Sequence, residues 1–198
     1  ESNIEAAVKQ VDERYIPHSA GKYLYKLLLQ RRVEDKFCDD SVELLYATLG
    51  AWGMNSRAAQ LEDFNTFSRT VQGQKDNILA LAAYDITQFA ECKTMLRTVF
   101  MGMNLSKNKS KLVTTSKALH FLLPNLVAPI DRRYTLSFYQ KPSIPEKIER
   151  QFALFAAIHE DFSDFSRRTD LSRFLSKDTW NQTVPKLIDT LVIAQNLE

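Results

Sequence analysis

The spacing of apolar residues along the chain is typical of α-helices almost throughout. Apolar side chains recur at intervals of three and four residues, as in the stripe Val42, Leu45, Tyr46 and Leu49. No segment shows the alternation of apolar and polar residues, with turn signals on both sides, that marks a half-buried β-strand. The sequence therefore predicts an all-α protein, a compact orthogonal bundle of about nine to eleven helices.

Polar residues that typically cap helices divide this pattern into segments. Asp40 and Asp63 each precede a helical stretch, and Asp85 or Thr87 is suited to restart a helix between two apolar stripes. Pro145 suits the first turn of a later helix, because its missing N–H is not needed there. Each of these positions is therefore expected to mark the start of a helix.

A glycine-rich corner interrupts the helical pattern at residues 50–55. Two of the five glycines of the chain fall there, on either side of Trp52. A helix that stops with a positive φ at a glycine is the expected structure. Trp52 is then interpreted as the anchor of a corner in the core, in preference to a residue that stacks on a ligand.

The stretch from residue 114 to residue 139 combines tight structural signals with ionisable side chains. Residues 114–116 are all good N-cap types, so a helix that carries Lys117 is expected to begin among them. Pro124 ends this helix, and Asp131 is placed to cap a further helix over residues 132–139.

Length and composition place limits on the fold and on the cellular context. With 198 residues, of which 44% are hydrophobic, the chain is expected to form a single helical domain over residues 1–198, or two packed helical halves that divide near residues 104–112. Cys38 and Cys92 are far apart in sequence and are interpreted as two buried thiols in a reducing compartment. No signal-peptide core or membrane-spanning run is found, so a cytoplasmic protein without membrane association is predicted. No metal-binding or cofactor-binding motif is recognised, and the oligomeric state is not indicated.

Positive charge is concentrated around the central stretch. Six cations and one acid, Asp131, give it a local net charge of +5, whereas the whole chain carries only +2. A helix N-terminus beside ammonium groups is a plausible anion site, so DNA or RNA is the expected partner. The predicted nucleic-acid-binding residues are Lys107, Lys109, Lys111, Thr115, Ser116, Arg132 and Arg133. The simpler alternative is a solvated lysine loop followed by an Asp that only caps a helix.

The segment T-T-S-K-A-L-H-F-L-L-P-N-L-V-A-P-I-D-R-R-Y resembles the core of the helix-hairpin-helix DNA glycosylase superfamily. In that superfamily a hairpin leads into a helix, and a P-x-D segment follows with its Asp at the start of another helix. The resemblance implies that Asp131 is a catalytic carboxylate and that Lys117 corresponds to the Schiff-base lysine of the lyase members. It also implies that residues 114–116 stand where the family's hairpin holds a DNA phosphate, although the hairpin glycines are absent.

A second resemblance covers both halves of the chain. The segments A-W-G-M-N-S-R and T-T-S-K-A-L, followed by P-I-D-R-R-Y, are similar to a group of uncharacterised bacterial all-helical proteins. Those proteins carry a WGM corner and, downstream, a T-K…P-x-D-R segment. The resemblance implies that the WGM corner and the downstream segment contribute to one site or to one structural joint. The residues concerned are Trp52, Gly53 and Met54 of the corner and Lys117, Asp131 and Arg132 of the downstream segment.

Two functional hypotheses of different classes follow from these patterns. In the first, the chain is a nucleic-acid-binding helical protein, distantly glycosylase-like, with Asp131 and Lys117 as its catalytic residues. In the second, it is a non-catalytic helical interaction module, in which Lys117, Asp131 and Arg132 form an ion-pair joint between two helical layers. His120, among apolar neighbours, is expected to be a half-buried helix residue, and His159 is expected to lie on a solvated acidic face.

Overall fold

The computed structural model describes residues 2–14, 19–55, 59–141 and 143–197. In that part of the chain ten α-helices form and no β-strand does, so the predicted all-α fold of nine to eleven helices is confirmed. The helices are α1 (Ser2–Arg14), α2 (Ala20–Gln30), α3 (Asp39–Leu49), α4 (Phe64–Gln72), α5 (Lys75–Leu81), α6 (Phe89–Gly102), α7 (Leu112–Leu122), α8 (Thr135–Phe138), α9 (Ile148–Arg168) and α10 (Val184–Gln195).

Helix α7 lies at the centre of the molecule. Ten of its 11 residues are buried, and it packs against α2, α3 and α9. A helix surrounded in this way is buried on all sides, which explains why its sequence lacks a polar face. The main apolar core includes residues from both sides of residues 104–112, for example Leu45, Phe67, Phe121 and Phe155.

Two of the starts predicted from a local cap are confirmed. The Asp63 carboxylate accepts a hydrogen bond from the backbone N–H of Thr66, and Asp85 forms a reciprocal capping box with Gln88. The expected cap at Asp40 is wrong, because α3 already begins at Asp39.

The helix expected at Pro145 begins three residues later, at Ile148. Cys92 is buried as expected, but Cys38 is exposed at the start of α3, which corrects the prediction of two buried thiols. None of the described helices is long and apolar enough to cross a membrane.

The start of α7 corrects the prediction for residues 114–116. The helix begins one turn earlier, at Leu112, because the side chain of Gln151 on α9 caps it from a distance. The Gln151 Oε1 atom accepts hydrogen bonds from the backbone N–H groups of Lys111, at 2.8 Å, and of Leu112, at 3.0 Å. Thr115 and Ser116 therefore lie inside the helix and do not cap it.

The helix expected over residues 132–139 forms only in part. Residues 132–134 form a turn, and α8 covers the single turn Thr135–Phe138. The expected helix cap at Asp131 is wrong, because Tyr134 is the N-cap residue of α8 and no side chain caps that helix. The Asp131 Oδ1 atom instead accepts a hydrogen bond from the backbone N–H of Arg133, at 2.7 Å, in the turn before α8.

The corner after α3 is a wide helical turn, Gly50–Met54, that ends in a left-handed residue. Gly53 has a φ of +82°, which confirms the expected positive φ at a glycine. Gly50 has a φ of −59° and continues the helix. Only one of the two glycines is therefore needed for its backbone freedom.

Substitution by alanine is expected to change the free energy of unfolding in opposite directions at these two glycines. Nothing lies within 4 Å of a Cβ atom added at Gly50 or Gly53, so packing does not distinguish them. Gly53→Ala should lower the free energy of unfolding by about 1–2 kcal/mol, because it places an L-residue in the left-handed region. Gly50→Ala should raise it by about 0.5–1 kcal/mol, because alanine favours helical backbone. Urea unfolding of both variants measures the difference, and equal effects would contradict this account.

Candidate functional site

A cleft of about 490 Å³ opens where α7 meets the Gly50–Met54 turn and α10. Its lining combines aromatic and charged side chains, including Arg14, Trp52, Lys117, Asp131, Tyr134, Trp180, Lys186 and Asp189. Lys117 and Asp131, the two predicted catalytic residues, therefore face the same cavity.

Lys117 is the charged residue that α7 contributes to the cleft. Its Nζ atom lies 3.4 Å from Asp131 Oδ2 and donates a hydrogen bond to the carbonyl oxygen of Trp52 at 3.2 Å. The Lys117 side chain is 8% exposed, whereas that of Asp131 is 34% exposed. One ammonium group thus connects α7 with the Gly50–Met54 turn and with the segment that follows Pro129.

Backbone contacts hold Asp131 at the edge of the cleft. The N–H of Ile130 donates to Ser116 Oγ at 3.0 Å, and the N–H of Asp131 donates to Thr135 Oγ1 at 3.0 Å. The Oδ1 atom of Asp131 accepts a hydrogen bond from the N–H of Arg133. The carboxylate is therefore fixed on both sides while part of it remains open to solvent.

A second ion pair lies in the same cleft. Lys186 and Asp189 stand three residues apart on α10, with Nζ and Oδ2 separated by 2.6 Å, and both side chains are more than nine-tenths buried. The Lys186 ammonium also donates to Thr190 Oγ1 at 3.4 Å, and this hydroxyl donates to Asn181 Oδ1 at 2.6 Å. Burial raises the pKa of the Asp189 carboxyl, and the charge of Lys186 opposes that rise.

The charges of the two ion pairs influence each other. The charge of Asp131 further raises the pKa of Asp189, and the charge of Lys117 lowers it. Two ammonium groups and two carboxylates sum to zero, so the lining of the cleft is strongly polar but close to neutral. Arg14 adds one exposed positive charge.

Two tryptophans form an aromatic wall of the cleft. The ring centres of Trp52 and Trp180 lie 5.6 Å apart with an interplanar angle of 66°, and Tyr25 stacks behind Trp180 at 5.8 Å. Trp52 Nε1 donates to the carbonyl oxygen of Gly21 at 3.2 Å, which fixes the indole orientation. Trp52 is thus both the expected corner anchor and part of the lining of a cavity.

Two histidines are buried in the fold, and one of them, His120, lies beside this wall. His120 Nδ1–H donates to the carbonyl oxygen of Val127 at 2.7 Å, and its Nε2 accepts from the hydroxyl of Tyr25 at 3.1 Å. His120 is fully buried, which corrects the expected half-burial, and burial lowers its pKa to about 3. His159 is also fully buried, which corrects its expected position on a solvated face, and burial lowers its pKa to about 4.

The WGM corner and the central stretch meet in space. The carbonyl oxygen of Trp52 accepts from Lys117, and Met54 contacts Thr114 through a hydroxyl-to-sulfur hydrogen bond of 3.5 Å. Gly53 supplies the left-handed turn between them. Ser56 and Arg57 of the same sequence motif lie outside the described residues.

The predicted nucleic-acid-binding residues separate into three groups. Arg132 and Arg133 are exposed beside Asp131, and the Arg133 guanidinium lies 5.3 Å from the ring centre of Tyr134. Lys107 and Lys109 are exposed on the loop before α7, and neither lines the cleft. Lys111, on the same loop and also away from the cleft, donates to the carbonyl oxygen of Ser106.

Thr115 and Ser116 form the third group, and both are fully buried. The Thr115 hydroxyl donates to the carbonyl oxygen of Met103 at 3.4 Å, and that of Ser116 to the carbonyl oxygen of Val113 at 3.0 Å. A ligand outside the fold cannot contact either hydroxyl, which corrects their predicted role. The anion site expected at the start of α7 is corrected as well, because Gln151 accepts hydrogen bonds from N–H groups there.

The contribution of the C-terminal region to the cleft was not predicted from the sequence. Trp180, Lys186 and Asp189 line it together with the central stretch. A signal was present, because Lys186 and Asp189 are the only charged residues of α10 and stand three residues apart on one face. In an otherwise apolar helix, such a pair indicates a buried polar contact.

Comparison of the chain with protein-family models, curated proteins and solved structures finds no match. Among the described residues, no group of three or more His, Cys, Asp or Glu side chains is arranged to hold a metal ion. Both resemblances therefore stay predictions. The geometry of the cleft is the remaining basis for a proposed function.

The buried histidines predict a specific dependence of stability on pH. Their pKa values are lowered in the fold, so the unfolded chain binds more protons below the ordinary value of about 6.5. The contribution of the two neutral histidines to the free energy of unfolding is fully present above that pH. It is lost as the pH falls toward 4 and then 3. Each histidine contributes a slope of up to about 1.4 kcal/mol per pH unit.

The variant His120→Asn isolates one of these two slopes, because its amide can still donate to the carbonyl oxygen of Val127. Urea unfolding between pH 7 and pH 4.5 should show a shallower loss of stability for the variant than for the wild type. Carboxylates titrate in both proteins, so their contribution cancels in the difference. Parallel pH profiles would contradict the neutral, buried state of His120.

Proposed function

We propose that the protein binds nucleic acid and takes one unstacked nucleotide into the cleft. The main observation that supports this proposal is that the Lys117–Asp131 pair lies in a cavity that Trp52 and Trp180 also line. A volume of about 490 Å³ falls within the range of small-molecule sites, so a single nucleotide is a suitable occupant and a duplex is not. A base that enters such a cavity must first leave its stack.

The aromatic lining supports binding of a base. Trp52, Tyr134 and Trp180 line the cleft, and stacking of a base on an aromatic side chain contributes about 1–3 kcal/mol. Stacking depends little on sequence, because every base has a π-face. The aromatic lining thus accounts for affinity without sequence preference.

The cations beside the cleft support contacts with phosphates. Arg14 lines the cavity, and Arg132 and Arg133 are exposed next to Asp131. Lys107 and Lys109 lie further away, before the start of α7, where they are suited to contact phosphates of a longer strand. Lys107, Lys109, Arg132 and Arg133 are the part of the predicted basic patch that is exposed, and Arg14 was not part of that prediction.

The position of Asp131 supports a glycosylase-type reaction as the enzymatic form of this proposal. When the bond between a base and its sugar breaks, positive charge develops on the sugar, and a nearby carboxylate stabilises it. Asp131 is one-third exposed and faces the cavity, as that role requires. Lys117 donates hydrogen bonds to both Asp131 and Trp52, so it is suited to hold the carboxylate in place.

One observation favours the second candidate, a non-catalytic interaction module. The Lys117 ammonium bridges the carbonyl oxygen of Trp52 and the carboxylate of Asp131, which is the geometry of a joint between structural layers. In that case the pair stabilises the fold, and partners bind another surface. Measurements of binding and stability on the same variants distinguish the two candidates.

The variant Arg132→Ala/Arg133→Ala should weaken binding of a single-stranded oligonucleotide. Since Trp52 and Trp180 line the cleft, quenching of tryptophan fluorescence reports the binding. If both arginines contact phosphates, the slope of log K against log salt concentration should fall by about 1.4 in magnitude. The matched control is Arg97→Ala/Arg168→Ala, which removes two exposed arginines that do not line the cleft. Equal salt slopes for both variants, or no binding by the wild type at low salt, would exclude this mode of binding.

Asp131→Asn should abolish base release from an oligonucleotide that carries damaged bases, while the variant still unfolds cooperatively. Asparagine keeps an oxygen for the N–H of Arg133 but removes the charge that pairs with the buried Lys117, so stability should fall by about 1–3 kcal/mol. As a control, Glu160→Gln disrupts the exposed pair with Lys93 and should cost at most about 1 kcal/mol. Loss of stability in Asp131→Asn, with no base release or nucleic-acid binding by the wild type, would favour the structural joint.

A further inference from the structure

Asp189 has an unused acceptor that faces the cleft. Its side chain is 7% exposed and lines the cavity, and its Oδ2 atom accepts from Lys186. Within the described ranges, no residue donates a hydrogen bond to the Oδ1 atom of Asp189. An ionised carboxylate accepts several hydrogen bonds, and Oδ1 is not one of the fully buried polar atoms that lack a partner, so it keeps some accessibility from the cleft. The Oδ1 atom is therefore suited to receive a donor from a ligand.

Lys186 supplies a donor beside this acceptor. An ammonium group has three N–H donors, of which one is directed to Asp189 and one to Thr190. The same nitrogen lies 5.8 Å from the ring centre of Trp180. The pair thus presents a donor and an acceptor next to each other, beside an aromatic surface.

The electrostatics of the cleft favour a neutral polar ligand. Lys117 and Lys186 balance Asp131 and Asp189, so a free cation or anion gains little net attraction from these four groups. The edges of nucleobases are neutral and combine a donor with an adjacent acceptor. Their rings also stack on tryptophan.

We propose that Lys186 and Asp189 recognise the hydrogen-bonding edge of a nucleobase whose ring lies against Trp180. This inference rests on the proposed nucleic-acid binding and deepens it, because it assigns base recognition to a pair distinct from the Lys117–Asp131 pair. Asp189 Oδ1 accepts from an N–H of the base, and Lys186 donates to a ring nitrogen or carbonyl oxygen beside it. The protein then binds the base itself and not the phosphate backbone alone.

The first experiment uses the wild-type protein and needs no variant. Binding of a single-stranded oligodeoxynucleotide is compared with binding of a fully abasic strand of the same length and charge, by fluorescence anisotropy of labelled strands at fixed salt. The strand with bases should bind at least tenfold more tightly. Equal affinities would overturn base recognition while leaving nucleic-acid binding intact. If neither strand binds, the proposed function fails, and this inference fails with it.

The second experiment compares four homopolymeric strands with Asp189→Asn. Because an asparagine amide offers both a donor and an acceptor where the carboxylate offers only acceptors, the order of affinities among the four strands should change. The control is Asp178→Asn, the same chemical change at an exposed position outside the cleft, which should leave the order unchanged.

A purely structural role for the Lys186–Asp189 pair makes a different prediction. Asp189→Asn would then lower stability and bind all four strands with the wild-type order of affinities, which overturns the inference. If the variant does not fold, the four homopolymeric strands are compared on the wild-type protein. Recognition of a base edge requires that their affinities differ, because stacking alone depends little on the base, and equal affinities would overturn the inference.

Discussion

The buried ammonium group of Lys117 is the constraint on which the architecture of the cleft depends. It lies on a helix that is enclosed on all sides, and an isolated charge in such a place is very unfavourable. Its two acceptors are the carbonyl oxygen of Trp52 and the carboxylate of Asp131, which come from segments far apart in sequence. To satisfy this one charge, the Gly50–Met54 turn and the segment after Pro129 must both approach α7. Their convergence on α7 forms much of the wall of the cavity.

The Lys186–Asp189 pair complements this arrangement from the side of α10. Buried ion pairs contribute little net stability compared with well-packed apolar residues, so the buried Lys186–Asp189 pair beside the partly exposed Lys117–Asp131 pair is not explained by packing alone. Together they give the cavity strong local fields without a large net charge. Polar, neutral groups are better suited to such a surface than simple ions, and the neighbouring tryptophans are suited to flat rings. The proposal of a nucleobase as the ligand rests on these two features.

The parts of the fold that depend on local sequence were predictable, and the parts that depend on distant contacts were not. The helices follow from apolar spacing, and the caps at Asp63 and Asp85 follow from residues within one turn. The start of α7 was missed because its cap, Gln151, stands about forty residues away on α9. The lysine loop suggested a binding site because charge was dense in sequence, yet density in sequence does not determine which charges share a cavity. The pairing of Lys117 with Asp131 was inferred from the resemblances of the segments that carry them, whereas the contribution of α10 required the tertiary structure.

The unequal burial of Lys117 and Asp131 bears on whether the pair is a joint or a reactive site. Lys117 is almost fully buried and donates hydrogen bonds to two protein acceptors. Its contacts therefore serve mainly to hold the Gly50–Met54 turn and the segment after Pro129 against α7. Asp131 is one-third exposed, is fixed by backbone contacts on both sides, and presents part of its carboxylate to the cavity. A structural partner and an accessible partner can therefore coexist in one ion pair. The buried lysine gives the partly exposed carboxylate a defined orientation toward the cleft, so a structural joint and the proposed site are compatible in the same contact.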